Sequence, residues 1–236
     1  MSAKLFEALK RIILVTGHYG SGKTEFSVSL AMEMAASTPK SFERLAVIDL
    51  DIANPYFRSR ERREALENAG ISVYGSIYKT EVTAELPALG ATVRAPLEDK
   101  GCRAIVDAGG NDAGAMVLNQ FGKYFVPEET THLIVINANR PETSDLAGAL
   151  EHIEAIETVT GIKVNAIVNN CHLLMETTAE TILKGHALCK EISEATGKPI
   201  ICNCYPQKLV TEKDIPDFIE NPFPLGLYMR PTWLDR

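Results

Sequence analysis

The sequence predicts an α/β fold in three layers, with a mostly parallel central sheet flanked by helices. Three observations carry that expectation. Short, nearly continuous apolar runs recur along the 236 residues, as strands buried on both faces require. Segments of helical periodicity alternate with them, which is the order that builds strand-helix-strand units. A glycine-rich octapeptide, Gly17-His18-Tyr19-Gly20-Ser21-Gly22-Lys23-Thr24, falls between the first apolar run and the first periodic segment. With 45% hydrophobic and 23% charged residues, the chain is long enough for one domain with a substantial core and too short for two of ordinary size.

The elements follow in order. The N-terminal residues lead directly into the strand Ile12-Ile13-Leu14-Val15, and Phe26, Leu30 and Met34 then recur at helical spacing. Leu45 to Leu50 is a second strand ending in acid. After it come Pro55 and an arginine-rich helical segment that Gly70 stops. Ile71 to Ile77 reads as a weaker strand, Ala84 to Arg94 as a short helix, and Ala104 to Asp107 as a buried strand opening into Ala108-Gly109-Gly110. His132 to Asn137 is the next strand. Its helix has Leu146, Leu150, Ile153 and Ile156 on one face and Asp145, Glu151, Glu154 and Glu157 on the other. Val164 to Asn169 is a strand, Thr178 to Ala195 a helix, and Pro199 to Cys202 the last strand. Residues 1–205 make the nucleotide-binding domain on this reading. Residues 206–236 carry five of the twelve prolines, so they are expected to wrap the surface of that domain and not to extend the sheet.

The octapeptide fits the pattern G-x-x-x-x-G-K-[ST] on a strand-to-helix turn, the phosphate loop of a nucleoside triphosphate binder. Glycines at 17, 20 and 22 let the backbone curl so that its N–H groups, with that of Ser21, face phosphate oxygens. The following helix aims the positive end of its dipole at the same place. Lys23 then reaches the β- and γ-phosphates, and the Thr24 hydroxyl is placed to ligate Mg²⁺. Asp49 and Asp51 lie two apart at a strand end, a pair suited to a magnesium and water site. Asp107 next to glycines can touch the Mg²⁺ shell while Gly110 offers a backbone N–H to the γ-phosphate. Asn169 and Asn170 end another strand and either bond a base or cap a loop.

These positions resemble the P-loop ATPases that group the cobyrinate and cobyrate amide synthases (CobQ/CobB) with the MinD and ParA ATPases. The likeness rests on the phosphate loop, Val47-Ile48-Asp49-Leu50-Asp51-Ile52-Ala53-Asn54, Ile105-Val106-Asp107-Ala108-Gly109-Gly110 and Ile167-Val168-Asn169-Asn170. The resemblance implies a P-loop fold with ATP and Mg²⁺ as cofactors. It also implies that Asp49 activates or positions water, that Asp51 and Asp107 support Mg²⁺, that Asn169 touches adenine, and that the chain forms a homodimer. Departures are visible. The MinD and ParA branch carries a second lysine after the first loop glycine, where this chain has His18. The guanine-reading pattern N-K-x-D fails because His172 stands three after Asn169, so adenine is the better fit.

Composition narrows the function classes. A net charge of -7 gives no general attraction for nucleic acid or anionic membrane, no apolar stretch is long enough to span a bilayer, and five cysteines without regular spacing suit a reducing, cytoplasmic setting. Two functions fit: a Mg²⁺-dependent ATPase that switches a protein partner, and an ATP-dependent kinase or ligase of the dethiobiotin-synthetase type, with residues 109–124 and 139–145 as its small-molecule rim. A metallocluster role rests on Cys202 and Cys204 alone, which as C-x-C is more often structural. Arg58, Arg60, Arg62 and Arg63 read either as a switch-like loop or as a solvated helix.

Overall fold

The structure is a computed structural model that describes residues 2–37, 42–51, 63–75, 93–110 and 117–229. Eight strands are described: β1 (Ile12–Thr16), β2 (Arg44–Asp49), β3 (Ile71–Gly75), β4 (Cys102–Asp107), β5 (Thr130–Ile136), β6 (Ala166–Asn169), β7 (Ile200–Pro206) and β8 (Pro222–Leu225). They form one sheet in the order β3-β2-β4-β1-β5-β6-β7-β8. Every neighbouring pair is parallel.

Helices cover both faces because alternate strand residues bury opposite ways. Ile13 and Val15 of β1, with Val47, Ile105 and Val135, face α1 (Ser2–Ala8), α2 (Lys23–Ala36) and α3 (Arg63–Asn68) through Phe6, Phe26, Leu30, Met34 and Leu66. Ile12 and Leu14, with Ile48 and Val106, face α4 (residues 93–98) and α5 (residues 117–120) through Val93, Leu97, Val117 and Leu118. Farther along that face, Ile134, Ile136 and Ile167 pack on α6 (Leu146–Thr160) and α7 (Ala179–Thr196). Phe26 and Leu30 are fully buried, and each such side chain contributes roughly 1.5–3 kcal/mol by leaving water. Side-chain caps fix where α6 and α7 begin: Asp145 accepts from the Gly148 N–H, and Thr178 forms a capping box with Thr181.

Two elements depart from the sequence reading. The N-terminal residues do not lead straight into β1 but form α1, whose end carbonyls at Phe6 and Leu9 accept from the Arg103 guanidinium at 2.9 and 3.0 Å. Those contacts lie more than ninety residues away in sequence, so a local pattern carries no trace of them. The proline-rich C-terminal segment does extend the sheet. β8 pairs with β7 alone, at an edge, where the Asn203 and Gln207 N–H groups donate to the Asn221 and Leu225 carbonyls and Pro222 and Pro224 need donate nothing. Phe223 anchors it edge-on against Phe26, with ring centroids 5.6 Å apart. Beyond β8 the chain returns to α2, where Glu25 accepts from the Tyr228 and Met229 N–H groups at 2.6 and 2.8 Å. Of the helix expected over 84–94, residues 84–92 lie outside the described residues, as do Ile77, Arg58, Arg60 and Arg62.

Candidate nucleotide site

Parallel register brings the strand ends to one edge. Thr16 of β1 is level with Ile134, Val15 pairs with Asp107, and Asp49 lies opposite Asp107 across the β2–β4 ladder. The chain runs from β1 to β2 toward one edge of the sheet and from the adjacent β4 to β5 toward the other, and the crevice at such a switch point is where open α/β sheets place ligands. The octapeptide fills that crevice. Gly22 caps α2 with φ 80°, a left-handed conformation that side-chained residues adopt at a cost. Gly110 lies so close to the loop that a Cβ there would fall 1.7 Å from the Gly17 carbonyl oxygen, so glycine is a steric requirement at that position.

On one side of the loop stand the acids. Lys23 is buried at the start of α2, and its Nζ lies 2.9 Å from Asp51 Oδ2, also buried. The Asp51 N–H in turn donates to Asp49 Oδ1 at 3.1 Å. Asp107 is wholly buried, and among the described residues neither of its carboxylate oxygens meets a donor with full hydrogen-bond geometry. Burial pushes its pKa up to about 8. Lys23 opposes that shift, Asp49 adds to it, the nearby Thr24 hydroxyl opposes it and Asp51 adds to it. Thr24, Asp51 and Asp107 are hard oxygen donors, and a cation beside Asp107 would satisfy oxygens that the described residues leave unbonded, so the residues fit Mg²⁺. Among the described residues no three His, Cys, Asp or Glu side chains converge around a common point. Magnesium takes one or two carboxylates together with substrate phosphates.

The other side is made of hydrogen bonds. Arg140, after β5, donates from Nε to the Gly20 carbonyl at 2.8 Å, and Asn170, after β6, donates from Nδ2 to the Ser21 carbonyl at 2.8 Å. Asn137 Oδ1 accepts from the Asn139 and His172 N–H groups, which ties the two loops together. His172 is held neutral, its pKa lowered to about 4 by burial first and by Arg140 second. Ser21 Oγ is buried among the loop residues without a hydrogen bond in the described residues. At the lip, His18 Nδ1 is 3.5 Å from Glu142 Oε2, and its ring meets His152 edge-on at 5.3 Å.

The loop residues Gly17, Gly20, Ser21, Gly22, Lys23 and Thr24 thus meet Asp49, Asp51, Asp107 and Gly110 in one place. Asn169 does not join them. Its amide is buried, donating to the Ile182 carbonyl and Asn203 Oδ1 and accepting from the Cys171 N–H, so these bonds are all made within the protein. The side chain that reaches the loop is its neighbour Asn170. Arg140 lies on the 139–145 stretch expected as a small-molecule rim, but its bond to the loop was not legible, because its partner lies 120 residues away. Cys202 and Cys204 are buried in the core beneath α2.

The chain matches no family model and no curated protein in sequence. Among solved structures it is similar to the cell division protein FtsY of Thermotoga maritima, with 20% identity and a TM-score of 0.51 over 80% of this chain and 59% of that one. FtsY of Mycoplasma mycoides is similar at 16% identity and a TM-score of 0.50, over 80% of this chain and 57% of that one. The fold is that of a P-loop nucleoside triphosphatase. The chain spans less than two thirds of either FtsY structure, and at these identities the likeness is one of fold. Among the described residues no helix is long and apolar enough to cross a membrane.

Proposed function

We propose that this chain binds Mg²⁺-ATP and hydrolyses it as a nucleotide-dependent switch of the MinD and ParA kind, acting as a homodimer on a protein partner in the cytoplasm. The observation that carries the reading is the meeting of Lys23, Asp51 and Asp107 beside a loop whose helix begins at Gly22. The loop N–H groups and Lys23 bind the β- and γ-phosphates, and Gly110 closes over Gly17. Thr24, Asp51 and Asp107 would hold the magnesium, which would supply positive charge against the phosphates. Asp49 orients the attacking water. ATP is favoured over GTP because neither His172, three after Asn169, nor Leu173, three after Asn170, supplies the carboxylate that pairs with guanine.

Phosphate release from Mg²⁺-ATP and Mg²⁺-GTP, followed against protein concentration, tests this directly. Lys23→Ala abolishes binding and turnover, while Asp49→Ala retains binding and loses hydrolysis; intact turnover in both variants would remove the site assignment. A rate per molecule that rises with concentration supports the dimeric switch. The His18, Glu142 and His152 group on the 139–145 rim favours a second reading, phosphorylation or activation of a small molecule. Turnover that depends on an added acceptor, and not on protein concentration, would put that reading first.

A further inference from the structure

Two loop glycines serve side chains as well as phosphate. A Cβ on Gly20 would fall 2.5 Å from the Arg140 guanidinium carbon, and one on Gly22 would fall 2.4 Å from Asn170 Nδ2. Both glycines have positive φ, 74° and 80°. Their missing side chains therefore admit a pair of donors, from the loops after β5 and β6, to the two successive carbonyls of Gly20 and Ser21. In a phosphate-binding nest the N–H groups point inward and the carbonyls outward. In the first of these peptides the Ser21 N–H donates to the His18 carbonyl at 3.0 Å, so Arg140 on its carbonyl locks the turn of the loop, and Asn170 on the Ser21 carbonyl sets the plane of the peptide whose N–H belongs to Gly22. Because the donor on Gly20 is a guanidinium, its bond is charge-assisted and brings a second cation to the loop beside Lys23.

We propose that Arg140 is a positioning residue for the polyphosphate of the bound nucleotide, acting with Asn170 as a clamp on the outside of the phosphate loop. The clamp itself is held. The Arg140 N–H donates to the Asn137 carbonyl, the Arg140 carbonyl accepts from the Thr143 N–H, and Asn139 takes a hydrogen bond from Lys184 of α7 at 2.7 Å. With the Gly20 and Ser21 carbonyls both bonded and the Ser21 N–H held by His18, the turn of the loop is fixed before phosphate arrives. The inference rests on the triphosphate-binding reading above and assigns it a residue outside the octapeptide and the acids.

The test is calorimetric binding of Mg²⁺-ATP and of inorganic tripolyphosphate to the wild type, Arg140→Ala, Arg140→Lys and Asn170→Ala, with a melting curve of each without ligand. Arg140→Ala weakens ATP and tripolyphosphate alike, each by about tenfold or more, since one charge-assisted hydrogen bond is removed. Arg140→Lys, which keeps the charge, recovers part of the loss. A residue that merely supported the fold would lower the melting temperature and would not distinguish these ligands from any other. Wild-type affinity in Arg140→Ala overturns the clamp, and so does a loss for ATP with tripolyphosphate unchanged, which would place Arg140 on the nucleoside. If Arg140→Ala does not fold, Asn170→Ala and Arg140→Lys decide, and full affinity in both overturns it. A wild type that binds neither ligand fails the triphosphate reading, and the clamp falls with it.

Discussion

The two sides of the phosphate loop use different physics for one purpose. The side under β2 and β4 gathers ionisable groups: Asp49, Asp51 and Asp107 are buried at or just past strand ends, and Lys23 is buried at the start of α2. The side under β5 and β6 gathers neutral amides, a neutral histidine and one guanidinium, each bonded to backbone. Charge suits the end of the ligand where charge changes during phosphoryl transfer. Hydrogen bonds to carbonyls suit the end where the loop must only hold its shape. Chemistry and geometry are thus separated across a loop eight residues long.

The widest effect expected is on the charged side. Lys23→Ala weakens nucleotide binding by at least about a hundredfold, since on the proposed reading Lys23 bonds both the β- and γ-phosphates and hydrogen bonds to charged groups contribute roughly 1.5–3 kcal/mol each; equilibrium binding of a fluorescent ATP analogue measures it. Gly110→Ala follows, because the added methyl meets the Gly17 carbonyl with no flexible side chain to give way. Turnover is lost while the melting curve stays cooperative, and unchanged turnover would show that the loop moves freely. Asn170→Ala removes a single neutral donor on the other side, and affinity falls by about fivefold, roughly 1 kcal/mol. Equal losses in Lys23→Ala and Asn170→Ala would erase the contrast.

Stability against pH separates the sides by sign. Asp107 is raised to about 8 by burial, so the folded protein holds that proton more tightly than the unfolded chain, and stability from this group falls as pH rises from about 4 to 8. His172 is lowered to about 4, so the unfolded chain takes up its proton first, and stability falls as pH drops from about 6.5 to 4. His132, buried on β5 with Nε2 2.8 Å from Thr16 Oγ1, is likewise lowered to about 4 by burial and adds to the acid limb. Each group contributes a slope of up to about 1.4 kcal/mol per pH unit in its window. Denaturant titrations at several pH values should show Asp107→Asn flattening the alkaline limb and His172→Gln the acid one; the reverse assignment would break the comparison.

The same division governs what the sequence disclosed. Glycines at fixed spacing, acids at the ends of apolar runs and strand-helix alternation are local, so the octapeptide, Asp49, Asp51, Asp107 and seven of the eight strands were legible. β8 was not, because prolines argue against a strand until its edge position is known. α1 was not, because its closing donor comes from Arg103. Asn169 and Asn170 differ by one position, and neither composition nor spacing distinguishes the amide turned toward α7 from the one turned toward the loop.

The order of the strands has a consequence for synthesis. Ile12–Thr16 leaves the ribosome before both of its sheet neighbours, Cys102–Asp107 and Thr130–Ile136, and the loop's outer contacts wait for Arg140 and Asn170. A nascent chain that ends before Cys102 therefore carries this apolar strand with neither neighbour yet made, a condition that favours chaperone capture over folding. The loop that is translated first is the last part of the site to take its shape.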